Sequence, residues 1–293
     1  MFGTNSIIGQ KYFKDAPADS LFVTSMFFTL QGEGPYAGKP ALFIRLAKCN
    51  LTCSFCDTFF DDGDWMTVHE IRSKAYHTIC NYWNDRGLTV PEWVLPKGEV
   101  GPVFPKVVLV VTGGEPLLQK NLVGALNELQ DTFGSMQIES NGTVNQDIPA
   151  HVTLVCSPKC AEKNGVAIKY LAPSKLILER ADCLKFVMSA EADSPYNTVP
   201  EWAHEWTRHT GKSIYCSPMN VYNTFPQKIK LLRAEKGTIT MQERSTVDEV
   251  ISFWEPGLLD LAANQRNHEY TARYCMDHGF TLNLQMHLYA SLA

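Results

Sequence analysis

The sequence predicts an α/β fold: a partial (β/α)6-type barrel, with a mostly parallel sheet, flanking helices and loops modified by insertion. Three observations predict it. Short apolar runs alternate with longer amphipathic stretches along most of the chain, the pattern of strand–helix units around a parallel sheet. About six such units can be counted, which points to an open or partial barrel and not a closed one. Three residue clusters suited to chemistry each follow directly on a strand candidate, which places them together at the strands' C-terminal ends.

The strand candidates are 21–27, 41–47, 107–112, 136–140, 152–156, 184–188, 213–217 and 280–286. Most are rich in β-branched or aromatic residues and only partly alternate, as strands buried on both faces do. Helices are expected at 67–83, 116–132, 199–209, 226–235 and 247–275. The first opens on Thr67-Val68-His69-Glu70, a capping box in which Thr67 accepts from the third helical amide and Glu70 reaches back. Pro116 opens the second, where its missing N–H costs no helical bond. The stretch 85–106 carries four prolines (Pro91, Pro96, Pro102, Pro105) and three glycines. It is expected to be an inserted loop within one domain spanning 1–293.

Composition narrows the function classes. With 45% hydrophobic and 19% charged residues the chain is neither disordered nor a repeat. Its net charge of −5, with no basic block, argues against nucleic acid as a partner. Apolar runs such as 107–111 fall far short of the roughly 20 residues of a membrane span, so no membrane is expected either. The opening residues have no basic start and no continuous apolar stretch, so no signal peptide is expected and the compartment is read as the cytoplasm.

Nine cysteines are unevenly distributed: Cys49, Cys53 and Cys56 lie within eight residues, and the other six are scattered. Scattered cysteines usually act as small buried hydrophobes. The tight group points to a metal or to redox chemistry. A structural zinc would want a fourth ligand, and only the adjacent Asp57 is at hand. A redox pair would need only two thiols. Three thiolates suit a [4Fe–4S] cluster with one iron left open to a substrate or cofactor.

Cys49-x3-Cys53-x-Phe55-Cys56 resembles the signature of the radical S-adenosylmethionine (SAM) superfamily. The resemblance implies that the open iron chelates SAM, whose reductive cleavage yields a 5′-deoxyadenosyl radical. Thr112-Gly113-Gly114-Glu115-Pro116, one strand–helix unit later, is similar to that superfamily's GGE motif. Two glycines permit close backbone approach to a ligand, and Gly114 and Glu115 are implied as SAM contacts, Glu115 accepting from the methionine ammonium.

Within the superfamily, the run from Thr29-Leu30-Gln31-Gly32-Glu33-Gly34 through Phe43-Ile44-Arg45-Leu46 to CNLTCSFCDT at 49–58 resembles the 7-carboxy-7-deazaguanine synthases. Further matches are ESNGT at 139–143, SPK at 157–159, LKFV at 184–187, SPMN at 217–220 and LQMH at 284–287. The resemblance implies rearrangement of 6-carboxy-5,6,7,8-tetrahydropterin, with loss of ammonia, on the path to queuosine. It also implies a homodimer and an electron donor such as flavodoxin or ferredoxin. Leu30, Gln31, Gly32, Arg45 and Thr112 are implied as substrate contacts. Arg45 is the one cation on an otherwise apolar strand, and a guanidinium can fork a carboxylate. Phe55, Cys56, Asp57, Ser140, Asn141, Ser157, Pro158 and Lys159 are implied around SAM. Thr58 is implied as a ligand of Mg²⁺, a cation that takes hard oxygens and shares them with substrate. His287 is given no role, because Leu288 stands where many relatives carry lysine.

Two other classes share parts of this pattern. A radical SAM activase of a glycyl-radical enzyme would use the same cysteines but leave TLQGEG and CDT unexplained. An iron–sulfur electron carrier, or a zinc-stabilised binding module, would show no SAM chemistry.

Overall fold

In the computed structural model, which describes residues 7–95, 102–224, 227–234, 239–240, 247–255 and 258–286, every strand candidate forms a strand. The N-terminal half runs β1 (Ser20–Leu30), β2 (Pro40–Leu46), β3 (Asp64–Thr67), α1 (Val68–Asn84), β4 (Phe104–Gly113), α2 (Leu122–Leu129), β5 (Phe133–Ser140) and β6 (Val152–Cys156). A hairpin of β7 (Cys160–Lys163) and β8 (Val166–Tyr170) follows, then α3 (Lys175–Arg180), β9 (Cys183–Met188), α4 (Glu201–Thr210) and β10 (Ile214–Pro218). The last part holds β11 (Tyr222–Thr224), β12 (Gln227–Ala234), β13 (Ile239–Thr240), β14 (Val247–Glu255), β15 (Leu258–Leu259), α5 (Leu261–His278) and β16 (Thr281–Leu282).

Nine strands form the main sheet in the order β16-β10-β9-β6-β5-β4-β2-β1-β3. From β2 to β16 all neighbours are parallel, while β1 and β3 add an antiparallel edge. The expected partial barrel is therefore open, and one crossover departs from the strand–helix count: β5 reaches β6 through residues 141–151 without a helix. Period-two alternation divides the strands. Leu42, Ile44, Leu46, Leu109 and Val111 join the large apolar core with the helices, and truncating any such leucine would cost about 2–5 kcal/mol. The opposite face carries Ala41, Phe43, Arg45, Val110, Thr112, Glu139, Lys185 and Ser217. An interior this polar is built to hold something.

Because β1 runs against β2, with Leu30 opposite Pro40, the loop after β1 lies at the sheet's N-terminal end. It packs across the inner face: Gly34 N–H donates to Asn283 Oδ1 at 2.9 Å, and Tyr36 Oη lies 3.2 Å from Thr153 Oγ1. The loop plugs that end, leaving the C-terminal end of the strands for the site.

The capping box forms as expected: Glu70 N–H donates to Thr67 Oγ1, and Thr67 N–H donates to Glu70 Oε2 at 2.7 Å. Elsewhere the structure corrects the reading. The expected helix 116–132 is a short 3-10 turn, Pro116–Leu118, followed by α2. The expected helix 226–235 is β12, and the first part of 247–275 is β14, the two paired antiparallel from Gln227↔Glu255 to Ala234↔Val247. Gln-Lys-Ile-Lys-Leu alternates with period two, which favours a strand. In Val247–Glu255 the apolar spacing also fits a helix, and pairing with β12 decides it. Only α5 remains helical there, starting at Leu261. The strand expected over 280–286 shortens to β16.

The proline-rich stretch is partly structured. Val94 is fully buried in the core, Trp93 packs edge-on against Trp83 of α1, and β4 begins already at Phe104. Pro105 fits because the β4–β5 register shifts between Phe104 and Val108, and a bulge tolerates a residue with no N–H. Residues 96–101 and His287 lie outside the described residues. Among the described residues no helix is long and apolar enough to cross a membrane.

Candidate active site

The cysteine loop is pinned at its base by Lys48. This residue has a left-handed backbone (φ 76°), which is costly for a side chain with a Cβ. Its N–H donates to Phe60 O at 2.6 Å, and its ammonium contacts both Asp61 O and Asp61 Oδ1. Two further ties hold the loop. Asn50 donates to Thr143 Oγ1 and accepts from Asn141 Nδ2, and Ser54 N–H donates to Glu162 Oε2 of β7 at 2.8 Å. Ile8 N–H donates to Cys49 O.

Cys49, Cys53 and Cys56 are free thiols lining one cavity at the C-terminal ends of the strands. Burial pushes all three thiols up, to about 12, 11 and 12. Such thiols stay protonated at neutral pH unless an iron charge replaces the proton. Among the described residues, no three His, Cys, Asp or Glu side chains converge as they would on a single ion. Three thiols around one cavity fit a cubane, whose irons stand apart, better than zinc. The donor set therefore fits the cluster.

The two glycines after β4 line the cavity and also let the chain pack tightly on itself. A Cβ on Gly113 would lie 2.2 Å from Leu46 O, and one on Gly114 would lie 1.9 Å from Lys48 O. They let the end of β4 pack against the backbone leading into Cys49, with Gly114 N–H donating to Leu46 O and Glu115 N–H to Lys48 O. Glu115 is fully buried and lies behind the cavity wall. Its carboxylate accepts from Leu117 N–H, Ser140 Oγ and Asn141 N–H. Burial raises its pKa. The structure thus places Glu115 as a brace between the ends of β4 and β5. Glu115→Ala should strand buried donors and lower stability in denaturant unfolding by at least about 2–3 kcal/mol. A variant of normal stability with weakened SAM affinity would instead put the carboxylate on SAM.

The other implied residues are gathered. Gln31, Gly32, Leu30, Arg45, Phe55, Asp57, Thr58, Thr112, Gly114, Ser140, Asn141, Ser157 and Lys159 all line the same cavity. Pro158 lies between the last two in the chain. Arg45 Nη1 donates to Thr58 Oγ1 at 2.8 Å, and its guanidinium lies over the Phe27 ring. Lys159 Nζ donates to Ser157 O and Oγ, both at 2.6 Å, and burial lowers its pKa. Phe55 meets Tyr196 edge-on, and Tyr222 donates from its hydroxyl to Asp57 Oδ2.

Sequence reasoning missed a buried charge network on the cavity floor. Lys185 Nζ lies 2.8 Å from Glu33 Oε2 and 2.6 Å from Glu139 Oε2. Gln31 Nε2 and Gln137 Nε2 donate to Glu139 Oε1, and Ser217 Oγ donates to Glu33 Oε1 at 3.0 Å. Lys185 is a lone cation on an apolar strand, the same signal that singled out Arg45.

Three thiols facing an open, mostly parallel sheet, on a loop clamped by a Gly-Gly turn, define the class: this is a radical SAM enzyme. No protein-family model matches the chain. Curated relatives do. The 7-carboxy-7-deazaguanine synthase of Rickettsia prowazekii is 30% identical over 243 residues, covering 83% of this chain and 88% of the relative. That of Rhodospirillum rubrum is 32% identical over 218 residues, covering 73% and 75%. A crystal structure of QueE from Escherichia coli has a TM-score of 0.52, covering 95% of this chain and 98% of that one at 19% identity, and so shares the fold. The chain belongs to the 7-carboxy-7-deazaguanine synthase family. That membership sets aside the activase, electron-carrier and zinc-module readings.

Proposed function

We infer that the chain converts 6-carboxy-5,6,7,8-tetrahydropterin to 7-carboxy-7-deazaguanine with loss of ammonia, as a carbon–nitrogen lyase of queuosine biosynthesis. One observation carries the reading: the cavity that gathers the three cysteines is also lined by the polar inner face bearing Gln31, Arg45 and Thr112. A flat ring with an amide edge and a carboxylate matches those groups.

When bound, the cluster and SAM supply one-electron cleavage of SAM to an adenosyl radical. The protein's own residues do the holding. Cys49, Cys53 and Cys56 carry the iron. The backbone of Phe55, Cys56 and Asp57, with Gly114, Ser140, Asn141 and Ser157–Lys159, forms the SAM side of the cavity. Leu30, Gln31, Gly32, Arg45 and Thr112 form the substrate side. The Thr58 hydroxyl and the Asp57 carboxylate are hard oxygens at the boundary between the two, and their chemistry fits Mg²⁺ shared with substrate. Arg45 already donates to Thr58, so a substrate carboxylate would exchange into that bond.

The domain is one unit, 1–293, working with a flavodoxin- or ferredoxin-like donor as a homodimer. Donor and dimer rest on the family resemblance. Nine free cysteines suit the reducing cytoplasm.

Arg45→Ala should weaken the carboxylated pterin about tenfold to a hundredfold, by loss of a charge-assisted pair, and an analogue lacking the carboxylate far less. Equal losses would make Arg45 a support for Thr58. Thr58→Val should keep the fold and SAM binding but lose Mg²⁺ stimulation of product formation. Superimposable Mg²⁺ titrations would reduce Thr58 to a partner of Arg45.

A further inference from the structure

We propose that Glu162 lowers the reduction potential of the cluster, its carboxylate holding the turn after Cys53 and setting a negative charge beside that thiol. The inference rests on the functional reading above and extends it to a residue outside the cavity wall.

Three observations meet at Glu162. Its Oε2 accepts from Ser54 N–H at 2.8 Å, and its Oε1 accepts from Ser54 Oγ at 3.4 Å. Ser54 follows Cys53 directly, so covalent geometry keeps the nearer oxygen within about 8 Å of the Cys53 sulfur. Second, Cys53 lines the cavity and Glu162 does not. The carboxylate therefore reaches the turn from behind and leaves the cavity free for the cluster and SAM. Burial raises its pKa, the mark of a place where water screens charge poorly. Third, the β7–β8 register shifts between Ala161 and Glu162, and a bulge beside a functional loop re-aims a side chain. Glu162 is the only acid between Lys159 and Ser174, and it turns to the loop while Lys163 and Lys169 stay exposed.

A cluster in the 2+ state on three thiolates is already negative overall, and reduction adds one electron more. A carboxylate nearby opposes that gain and lowers the potential. The bond from Ser54 acts in the same direction, because an amide that donates to Glu162 is withheld from the cluster sulfurs, whose hydrogen bonds ease reduction. A lower potential makes the reduced cluster a stronger one-electron donor to SAM. Asp57 and Glu115 also stand close to the thiols, but Asp57 lines the cavity and Glu115 joins β4 to β5. Glu162 does neither, so its charge can be changed by itself.

The test is an anaerobic redox titration of cluster-loaded wild type, Glu162→Gln and Glu162→Asp without SAM. Dithionite supplies the electron, and electron paramagnetic resonance reads the reduced cluster. The titration runs at about pH 8, well above the ordinary carboxylate range. Glutamine keeps an oxygen for Ser54 N–H but drops the charge. Its cluster should take the electron about tenfold more readily, a rise of about 59 mV for a one-electron couple. Glu162→Asp keeps the charge on a shorter stem and should titrate closer to wild type than to Glu162→Gln. Only loaded molecules give the signal, so partial loss of iron in a variant does not hide its potential. A wild-type potential in Glu162→Gln overturns this inference and leaves Glu162 a tether. Equal rises in both variants assign the effect to the tie and not the charge, and also overturn it. A glutamine variant that loads no cluster assigns Glu162 to cluster assembly, with the same result. A wild type that takes up no iron overturns the functional reading, and this inference with it.

Discussion

Alanine at Cys49, Cys53 or Cys56 is expected to abolish cluster retention and SAM cleavage together. Wild type, reconstituted anaerobically, should hold about four irons per chain, and SAM should perturb the spectrum of the reduced cluster. The three thiols share one cavity, and burial holds each well above its ordinary pKa. Removing one leaves only two thiols, which would hold too few of the cluster's irons to retain it. Lys48 and Glu162 brace the loop from outside the thiol set, so the variants should keep the wild-type fold by circular dichroism. Full iron content in any single variant would show that the three do not act as one ligand set.

The second large effect is expected at Lys185→Met. Lys185 is buried between Glu33 and Glu139, and removing one partner of a buried ion pair costs about 3–5 kcal/mol. That is a sizeable share of a typical domain's stability of about 5–15 kcal/mol. Burial alone would pull the Lys185 pKa down, but the Glu139 and Glu33 carboxylates overcome it and hold it above its ordinary value. A raised folded pKa contributes stability that is fully present below the unfolded value of about 10.4 and is lost only as pH rises through the folded one. Wild-type stability should therefore show no dependence on this group between about pH 6 and 9. In Lys185→Met two carboxylates face each other without a cation, so unfolding should become more difficult as pH falls from about 8 to 5. Adding Glu139→Gln should recover part of the loss, since the sites are in direct contact. Equal destabilisation at both pH values, with no rescue, would assign the loss to packing of the lysine stem.

The parallel sheet was legible because its strands are short, apolar and followed by turn chemistry, as at 107–112 and 184–188. The segment 226–255 was not: alternation in Gln227–Ala234 competes with helix-compatible spacing in Val247–Glu255, and only their pairing resolves both. Within the site, side chains with a local signal were found, such as the cysteines and Arg45. Lys48, Asn50 and Glu162 carry no local signal; their task is to hold a loop through partners as far away as 108 residues. The Gly113–Gly114 pair shows the same limit, since its close neighbour proved to be Leu46–Cys49 backbone.

The central claim is that the thiol loop and the inner face bearing Arg45 form a single reaction chamber. It is tested most directly by incubating wild type anaerobically with SAM, reductant, Mg²⁺ and 6-carboxy-5,6,7,8-tetrahydropterin, then following products by mass spectrometry. The account predicts 7-carboxy-7-deazaguanine with one ammonia released per product. SAM cleavage that proceeds while the pterin is recovered unchanged would contradict it.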